Sequence, residues 1–166
     1  MTENNPQEAA SQANPNAPQL VLQQIYLKDC SYEAPNGPRI PAAEWNPRFA
    51  LNLNTTSSEV APELREVVLT VTVEAKVGEK VAYLVELKQA GLFLVRNCSP
   101  DDLKKIIGSI CPGVLFPYAR AACSELVTQG GFPQFLLPPV NFESLYERSA
   151  TQGGVSQQVA AQPAVN

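Results

Sequence analysis

The sequence VVLTVTVEAKVGEKVAYLVELKQAGLFLV, residues Val67–Val95, carries the most regular hydrophobic pattern in the chain. Apolar side chains occupy alternate positions up to Val77, and the alternation resumes at Val81 after an interruption at Gly78 and Glu79. Alternation of this kind is typical of a strand with one buried face, and a short interruption containing glycine is typical of a hairpin turn. The stretch therefore predicts a long antiparallel hairpin with one polar face and one aliphatic face that the rest of the chain must cover.

Length and charge limit the classes of protein to be considered. At 166 residues the chain is long enough for one domain with a core and short for two. Its formal net charge is −4 and its basic residues do not cluster, which argues against a nucleic-acid-binding surface. It has no run of about 18 apolar residues and no signal-peptide pattern. We therefore expect a cytoplasmic protein with no direct membrane insertion.

Both ends of the chain differ in composition from its middle. Residues 1–18 are rich in Asn, Gln, Ala, Glu and Pro and contain no large apolar side chain after Met1, and residues 150–166 have a similar character. Such segments bury too little surface to offset the entropy of ordering. We expect two disordered tails around a single folded domain at residues 19–149.

A first strand is predicted for Leu20–Glu33, where Val, Ile, Leu and Tyr are enriched. The parity of its alternation changes, which a bulge between Ile25 and Asp29 would explain. Asp29 and Glu33 then share one face, but they lie too far apart along the strand to act as an acid–base pair.

Carboxylates also occur in the predicted hairpin, at Glu74 and Glu86. Together with Asp29 and Glu33 they are consistent either with an acidic recognition patch or with ordinary solvated strand positions. The residues by themselves leave both interpretations open.

A proline-rich connection, Ala34–Pro47, links the first strand to the next and contains Trp45, the single tryptophan. Long irregular connections are usually functional or are linkers. Two interpretations of Trp45 stay open, one in which it plugs the edge of the sheet and one in which it lines a binding groove. Phe49–Asn54 alternates as a second strand, and Thr55–Pro62 is predicted to be a polar connection. Four successive strands favour an antiparallel meander.

The hydrophobic period changes after the hairpin. Ser99 is a good N-cap, and apolar residues at helical spacing follow it, which predicts a short amphipathic helix that ends before Pro112. Pro117 is predicted to begin a second helix that ends at Gly130, and a third helix is predicted at Asn141–Arg148. The expected fold class is α+β.

Catalytic and ligand-binding signatures are missing. The chain has no histidine and no nucleotide-binding, serine-hydrolase or calcium-binding motif. Its four cysteines, Cys30, Cys98, Cys111 and Cys123, form no CxxC pair, so we expect reduced packing thiols, no metal and no cofactor. Cys98 precedes a predicted helix and is the candidate nucleophile, but no histidine can serve as its base. We expect a protein that is not an enzyme, with a thiol-dependent hydrolase as the rival hypothesis.

Four stretches are similar, in this order, to the SecB family of cytosolic protein-export chaperones: IYLKDCSYEAPNGP (Ile25–Pro38), EVVLTVTVEAKVGEKVAYLVELKQAGLF (Glu66–Phe93), CPGVLFPYAR (Cys111–Arg120) and GFPQFLLPPVNFESLY (Gly131–Tyr146). The similarity extends over residues 19–146. Its most specific elements are CPxxLFPYAR and FPQxxLxPVNF, because helix and turn rules alone explain neither string.

The resemblance implies a four-stranded antiparallel sheet packed with a short and a long helix and assembled as a dimer of dimers. It also implies a chaperone that binds unfolded preproteins in apolar grooves without ATP and passes them to the translocase motor SecA. The missing nucleotide motif agrees with this function. A SecB-like chaperone devoted to an antitoxin rather than to export is the alternative.

The resemblance also implies site residues. Those implied in SecA binding are Asp29, Glu33, Leu84, Val85, Glu86, Leu87 and Gln89. Those implied in client binding are Tyr26, Trp45, Phe116, Tyr118, Phe142 and Leu145. Family members often have cysteine at the position of Val85, so the SecA contact is expected to depend on shape and charge rather than on a thiol.

Overall fold

The computed structural model describes residues 16–152 and 157–161, with Gln152 and residues 157–161 described by their backbone alone. Its strands are β1 (Gln19–Glu33), β2 (Arg48–Ala61), β3 (Leu64–Val77), β4 (Lys80–Arg96) and β5 (Gln157–Ala161). Its helices are α1 (Pro100–Lys105), α2 (Cys111–Gln129) and α3 (Phe142–Gln152). A π-helical segment, Ile106–Ile110, joins α1 to α2. Residues 150–152 and 157–161 of the predicted disordered C-terminal tail lie in α3 and β5. The rest of that tail and most of the N-terminal tail lie outside the described residues, and their disorder stays a prediction.

The described residues form one antiparallel sheet in the order β1-β4-β3-β2-β5. β3 and β4 pair from the turn to Leu64 opposite Leu94, with one register shift between Ala75 and Lys76, as the hydrophobic alternation predicts. β1 pairs with β4 rather than with β2, so the predicted simple meander is wrong for this strand. The connection of residues 34–47 crosses from one edge of the four-stranded region to the other and produces a Greek-key order. The four predicted strands are all present, and β5 is added at the β2 edge.

β1 is irregular at two points in its pairing with β4, between Leu22 and Gln24 and between Leu27 and Asp29. The second irregularity confirms the bulge predicted from the change in parity. An extra residue in one strand turns the following side chains to the other face. The bulge therefore brings Asp29 and the residues after it into the same alternation as β4.

β2 extends to Ala61, so the prediction of a polar connection at Thr55–Pro62 is wrong. Ser57, for example, pairs with Val67 of β3. A polar strand is stable here because β3 supplies the main-chain partners while the side chains face water. The actual turn contains Glu63, whose φ is +63°.

α1, the π-helical segment and α2 form one continuous helix from Pro100 to Gln129. The predicted break between Pro112 and Pro117 is therefore wrong. The predicted cap is confirmed, because Ser99 Oγ accepts a hydrogen bond from the Asp102 N–H at 3.1 Å.

Local features explain why the long helix tolerates its prolines. Directly before Pro112 the Cys111 N–H bonds to the carbonyl of Ile106, and this wider π-helical spacing relieves the clash of a proline ring with the preceding turn. Pro117 and Gly113 are both exposed. Water can therefore solvate the carbonyl of Gly113, which the ring of Pro117 leaves without its usual donor.

The core lies between the sheet and the long helix. The odd-numbered residues of the β3–β4 hairpin face α2 and are fully buried at Val71, Val73, Val85 and Leu87. Leu115, Ala119, Cys123 and Val127 of α2 are fully buried as well. By length and composition alone this helix is apolar enough to cross a bilayer, a test that the core helix of a globular domain also passes. The burial of one helix face on the sheet accounts for part of its apolar composition, and other apolar residues of the helix are exposed.

α3, predicted at Asn141–Arg148, is present and packs against the π-helical segment. The ring of Tyr146 covers Gly108 so closely that a Cβ at Gly108 would approach Tyr146 Cε2 to 2.9 Å. An ion pair of 2.7 Å between Lys105 Nζ and Glu143 Oε1 spans the same contact. Gly108 thus permits the approach of α3.

Replacing Gly108 by alanine is expected to destabilise the protein by roughly 1–3 kcal/mol, because the added methyl group meets the ring of Tyr146. Gly113→Ala is the matched control in the same helix. A Cβ at Gly113 has no atom within 4 Å, so the gain in helix propensity should stabilise the protein by about 0.5–1 kcal/mol. Urea unfolding followed by circular dichroism measures both variants. Effects of the same sign would contradict the packing of Tyr146 on Gly108.

Candidate functional site

An aromatic cluster lies between the proline-rich connection and the end of α2, and it consists of Tyr32, Trp45, Tyr83 and Phe132. The ring of Trp45 stacks on Tyr83 with centroids 6.4 Å apart and tilts against Phe132 at 5.1 Å. Tyr83 also stacks on Tyr32 at 6.4 Å. The cluster therefore joins β1, the proline-rich connection, β4 and the segment that follows α2.

Trp45 packs on the core, as the first of its two interpretations predicts, while a part in a binding groove stays a prediction. It packs against the buried core through its contacts with Tyr83 and Phe132, yet it remains only half-buried. An aromatic ring held in this way fills a gap at the sheet and still offers apolar surface to a ligand.

Tyr32 and Tyr83 carry buried hydroxyl groups that have no hydrogen-bond partner among the described residues. Burial raises the pKa of both phenols, so both are neutral at physiological pH. A neutral phenol can donate one hydrogen bond and accept another. Both hydroxyls are inaccessible from the surface, so a ligand would reach them only if the neighbouring side chains moved.

Gly130 makes room for the aromatic cluster at the end of α2. A Cβ at Gly130 would overlap the hydroxyl of Tyr32. The helix ends here as predicted, since α2 runs to Gln129. Tyr32, Tyr83 and Phe132 were missed by sequence reasoning because they meet only when β1 pairs with β4.

The six predicted client-binding residues do not form one groove. Trp45 belongs to the aromatic cluster. Phe116 and Phe142 are only 7% and 8% exposed, and their rings meet edge to face at 5.6 Å between α2 and α3. Leu145 is half-buried against the same core. The side chains of Phe116 and Phe142 are core residues in this protomer, which corrects the expectation that they line an open groove.

Tyr118 and Tyr26 lie away from the aromatic cluster. Tyr118 is exposed on α2. Tyr26 lies on the other face of the sheet, where its hydroxyl donates to one carboxylate oxygen of Glu66 while Lys28 Nζ donates to the other at 2.6 Å. Lys28 and then Tyr26 lower the pKa of Glu66, and the bond to Glu66 raises the pKa of Tyr26 to about 12. Tyr26 is therefore held in a polar contact rather than in an apolar groove.

Two sets of apolar side chains stay uncovered in the described part of the chain. The first set, the outward helix stripe, follows the exposed side of the long helix at four-residue spacing: Ile110, Val114 and Tyr118. The second set lies on β1, at the edge of the sheet: Val21, Leu22 and Leu27. Grouped exposed apolar residues indicate interaction surfaces.

The sheet face opposite α2 carries four of the seven predicted SecA-binding residues: Asp29, Glu33, Leu84 and Glu86. Leu84 is paired with Glu33 on one side and with Glu74 on the other. We define the acidic sheet face as these four residues with Glu74. A leucine surrounded by carboxylates can offer a partner both an apolar contact and a negative potential.

Basic side chains neutralise part of this surface. Lys88 Nζ lies 3.4 Å from a carboxylate oxygen of Asp29, and Lys76 Nζ lies 2.9 Å from one of Glu74. Exposed pairs of this kind are weak. Glu86 and Glu33 are exposed and have no ion-pair partner within the described ranges, so they carry most of the negative charge of the acidic sheet face.

The remaining three predicted SecA-binding residues point the other way. Val85 and Leu87 are fully buried beneath α2, and Gln89 is 4% exposed. Gln89 Nε2 donates to the carbonyl of Tyr26 at 2.9 Å. Successive strand residues alternate between faces, so these three side chains cannot belong to the same surface as Leu84 and the expectation is corrected for them.

The cysteines differ in their surroundings, although all four are free. Cys111 and Cys123 are buried, and burial raises the pKa of each thiol to about 12. Cys98 is half-buried and its Sγ donates to the carbonyl of Arg96 at 3.2 Å. Cys30 is exposed, so the prediction that every cysteine is a packing residue is wrong for Cys30. Across the described residues no group of three or more cysteines and carboxylates could hold a metal ion.

Comparisons with known proteins agree with the resemblance to the SecB family. A family model described as preprotein translocase subunit SecB matches residues 13–153. The protein-export protein SecB of Marinobacter nauticus is 46% identical over 149 residues, which cover 90% of this chain and 89% of the relative. The protein of the same name from Stutzerimonas stutzeri is 45% identical over 146 residues, covering 88% of this chain and 89% of the relative.

A solved structure has the same fold. It is a SecB-like chaperone of Mycobacterium tuberculosis in complex with a ChAD peptide from an antitoxin, and it superposes with a TM-score of 0.63 at 13% identity. The superposition covers 73% of this chain and 90% of that chain. At this identity the likeness establishes the antiparallel sheet with its helices and nothing finer.

Proposed function

Because the chain belongs to the SecB family and is a protein-export chaperone, we propose that it holds unfolded precursor polypeptides in the cytoplasm and delivers them to the translocase motor SecA. Holding requires neither ATP nor another cofactor, and the protein is not an enzyme. Its partners are unfolded polypeptides, SecA and further copies of itself. The observation that carries the proposal is the half-open aromatic cluster around Trp45.

The aromatic cluster suits clients whose sequences vary. Aromatic faces accept apolar side chains of many shapes. The connection that carries Trp45 contains four prolines, so little conformational entropy is lost when a client orders it. Shape-tolerant apolar contacts support holding without sequence selection.

Assembly as a dimer of dimers forms part of the proposal. The outward helix stripe and the apolar edge of β1 are separate surfaces, and each is uncovered in one protomer. Two separate self-complementary surfaces build first a dimer and then a dimer of dimers. A tetramer also presents several aromatic clusters to one long client, so that weak contacts multiply through effective concentration.

The acidic sheet face supports delivery to SecA. Exposed carboxylates keep their hydration, so their presence on the surface costs little free energy. When the partner surface is cationic, they increase the rate of association and the specificity of binding. The proposed contact consists of Asp29, Glu33, Leu84 and Glu86. The buried Val85, Leu87 and Gln89 contribute only by fixing the conformation of the strand.

Dedication to an antitoxin is the second candidate function. The M. tuberculosis protein is described with an antitoxin peptide, but its likeness to this chain is limited to the fold. The relatives at 45% and 46% identity are named for protein export. Export is therefore favoured, and identification of the polypeptides that co-purify with the protein distinguishes the two functions.

Trp45 is the single tryptophan, so its fluorescence reports directly on the aromatic cluster. An unfolded polypeptide without tryptophan should shift the emission, and the protein should delay refolding of a slow-folding precursor in the absence of nucleotide. Trp45→Ala should weaken holding by roughly threefold to tenfold because its stacking on Tyr83 is lost, whereas Trp45→Phe should retain most of it. An unchanged emission spectrum with independently measured binding would place the client elsewhere.

Sedimentation velocity at micromolar concentration should show about four protomers, as two self-complementary surfaces require. Val114→Asp should dissociate the assembly, because it places a charge in the outward helix stripe. Val60→Asp is the matched control, since Val60 is 57% exposed at the far end of β2 and outside both apolar sets. A monomeric wild-type protein would refute the assembly. Equal dissociation by both variants would refute the assignment of the helix stripe.

Glu86→Lys should weaken SecA binding, with a strong dependence on salt, because it reverses the charge at the centre of the acidic sheet face. Holding of unfolded clients and thermal stability should stay near the wild-type values, since Glu86 is exposed and makes no ion pair in the described structure. Glu79→Lys, in the β3–β4 turn, applies the same change of charge outside this face. If Glu86→Lys instead abolished holding or assembly, Glu86 would belong to the client site or to an interface.

A further inference from the structure

The C-terminal strand β5 covers part of the outer edge of β2. Its backbone runs antiparallel to β2, from Phe49 opposite Ala161 to Leu53 opposite Gln157. Leu51 and Leu53 of this paired stretch are buried. β5 therefore satisfies main-chain groups in the portion of β2 that lies over the core.

Without β5 this stretch of β2 would be a free sheet edge. A free edge presents unpaired N–H and C=O groups to which any extended polypeptide can add as a further strand. The stretch lies in the same row of the sheet as the aromatic cluster, since Phe49 is opposite Ala75 of β3 and Ala75 is opposite Tyr83 of β4. β5 thus occupies one of the two edges that an extended chain leaving the aromatic cluster would reach, the other being β1, which carries Tyr32.

The composition of the C-terminal stretch favours weak binding of β5 to the β2 edge, so that another segment can replace it. Residues 149–166 contain no charged side chain, and two of the four residues between α3 and β5 are glycine. A five-residue strand forms few ladder hydrogen bonds, so pairing alone holds it weakly. Its covalent attachment raises its effective concentration at the edge to roughly the millimolar range.

We propose that β5 is an intrachain competitor for the β2 edge and that an extended, uncharged segment of an unfolded polypeptide displaces it. The inference rests on the proposed function, because it concerns how clients gain access to the same site. Competition multiplies the apparent affinity by the fraction of time for which the edge is uncovered. Short or dilute segments are therefore rejected, while a long segment anchored at the aromatic cluster competes successfully.

Hydrogen exchange on the full chain tests whether β5 covers the edge of β2. Val159→Pro removes the amide at the middle of β5 and should open the pairing. The amides of residues 49–53 that point away from β3 should then exchange roughly tenfold faster or more, with no change in β3. Ala164→Pro, outside the paired residues, is the matched control and should leave exchange unchanged. A synthetic peptide of residues 156–162 added to the Val159→Pro variant should restore protection.

Competition is tested by the affinity for a reduced, carboxamidomethylated polypeptide, which cannot fold and gains no charge from the modification. Val159→Pro should bind this polypeptide roughly threefold to tenfold more tightly than the wild type, and a chain ending at Gln152 should do the same. Ala164→Pro should bind as the wild type does. Equal affinities, or equal exchange at residues 49–53, would overturn the proposal.

The remaining outcomes separate the inference from the proposed function. If the wild type holds the unfolded polypeptide and opening β5 changes nothing, the inference fails and the proposed function stands. If opening β5 leaves the affinity unchanged but produces larger assemblies in sedimentation, the strand shields the edge from other copies and the inference is again overturned. If the wild type does not hold the polypeptide at all, the proposed function fails and the inference fails with it.

Discussion

Burial of the aliphatic face of the β3–β4 hairpin beneath the long helix is the interaction on which the rest of the structure depends. Val73 and Val85 are paired across the hairpin, and both are fully buried, as is Leu115 above the sheet. Removal of this apolar surface from water is the dominant favourable term in folding. Because strand residues alternate, covering one face leaves the other to the even-numbered residues. One protomer therefore has an apolar side and an acidic side without needing a second domain.

The hairpin and its two faces could be predicted from the sequence because alternation is a local property, and the bulge in β1 could be predicted for the same reason. The strand order could not, since the length of the connection at residues 34–47 does not specify which edge of the sheet it reaches. Pro112 and Pro117 were misleading because local propensity opposes a helix by about 3 kcal/mol at each interior proline. The burial of residues such as Leu115 is a tertiary contribution, and it outweighs that preference.

The residues of the candidate site also divide into those that could be predicted from the sequence and those that could not. The family resemblance pointed to the acidic sheet face, and parity, which is local, separates Glu86 from the buried Val85. The aromatic cluster could be predicted only at Trp45. Its other members come from three elements that meet through the β1–β4 pairing, which the sequence did not reveal. The family resemblance implied that Phe116 and Phe142 line a groove, whereas in this protomer their rings fill the contact between α2 and α3.

The aromatic cluster and the acidic sheet face are separated by the thickness of one sheet. Tyr83 and Leu84 are neighbours in β4, yet Tyr83 belongs to the aromatic cluster and Leu84 to the opposite face. Under the proposed assignment a client and SecA do not compete for the same space, so SecA cannot release a client simply by taking its place. Release must instead come from the loss of individual weak contacts. The overall affinity for a client bound at several sites falls steeply when the client dissociates from one of them. Half-open sites of modest affinity permit such a transfer, whereas an enclosed, tight pocket would retain the client.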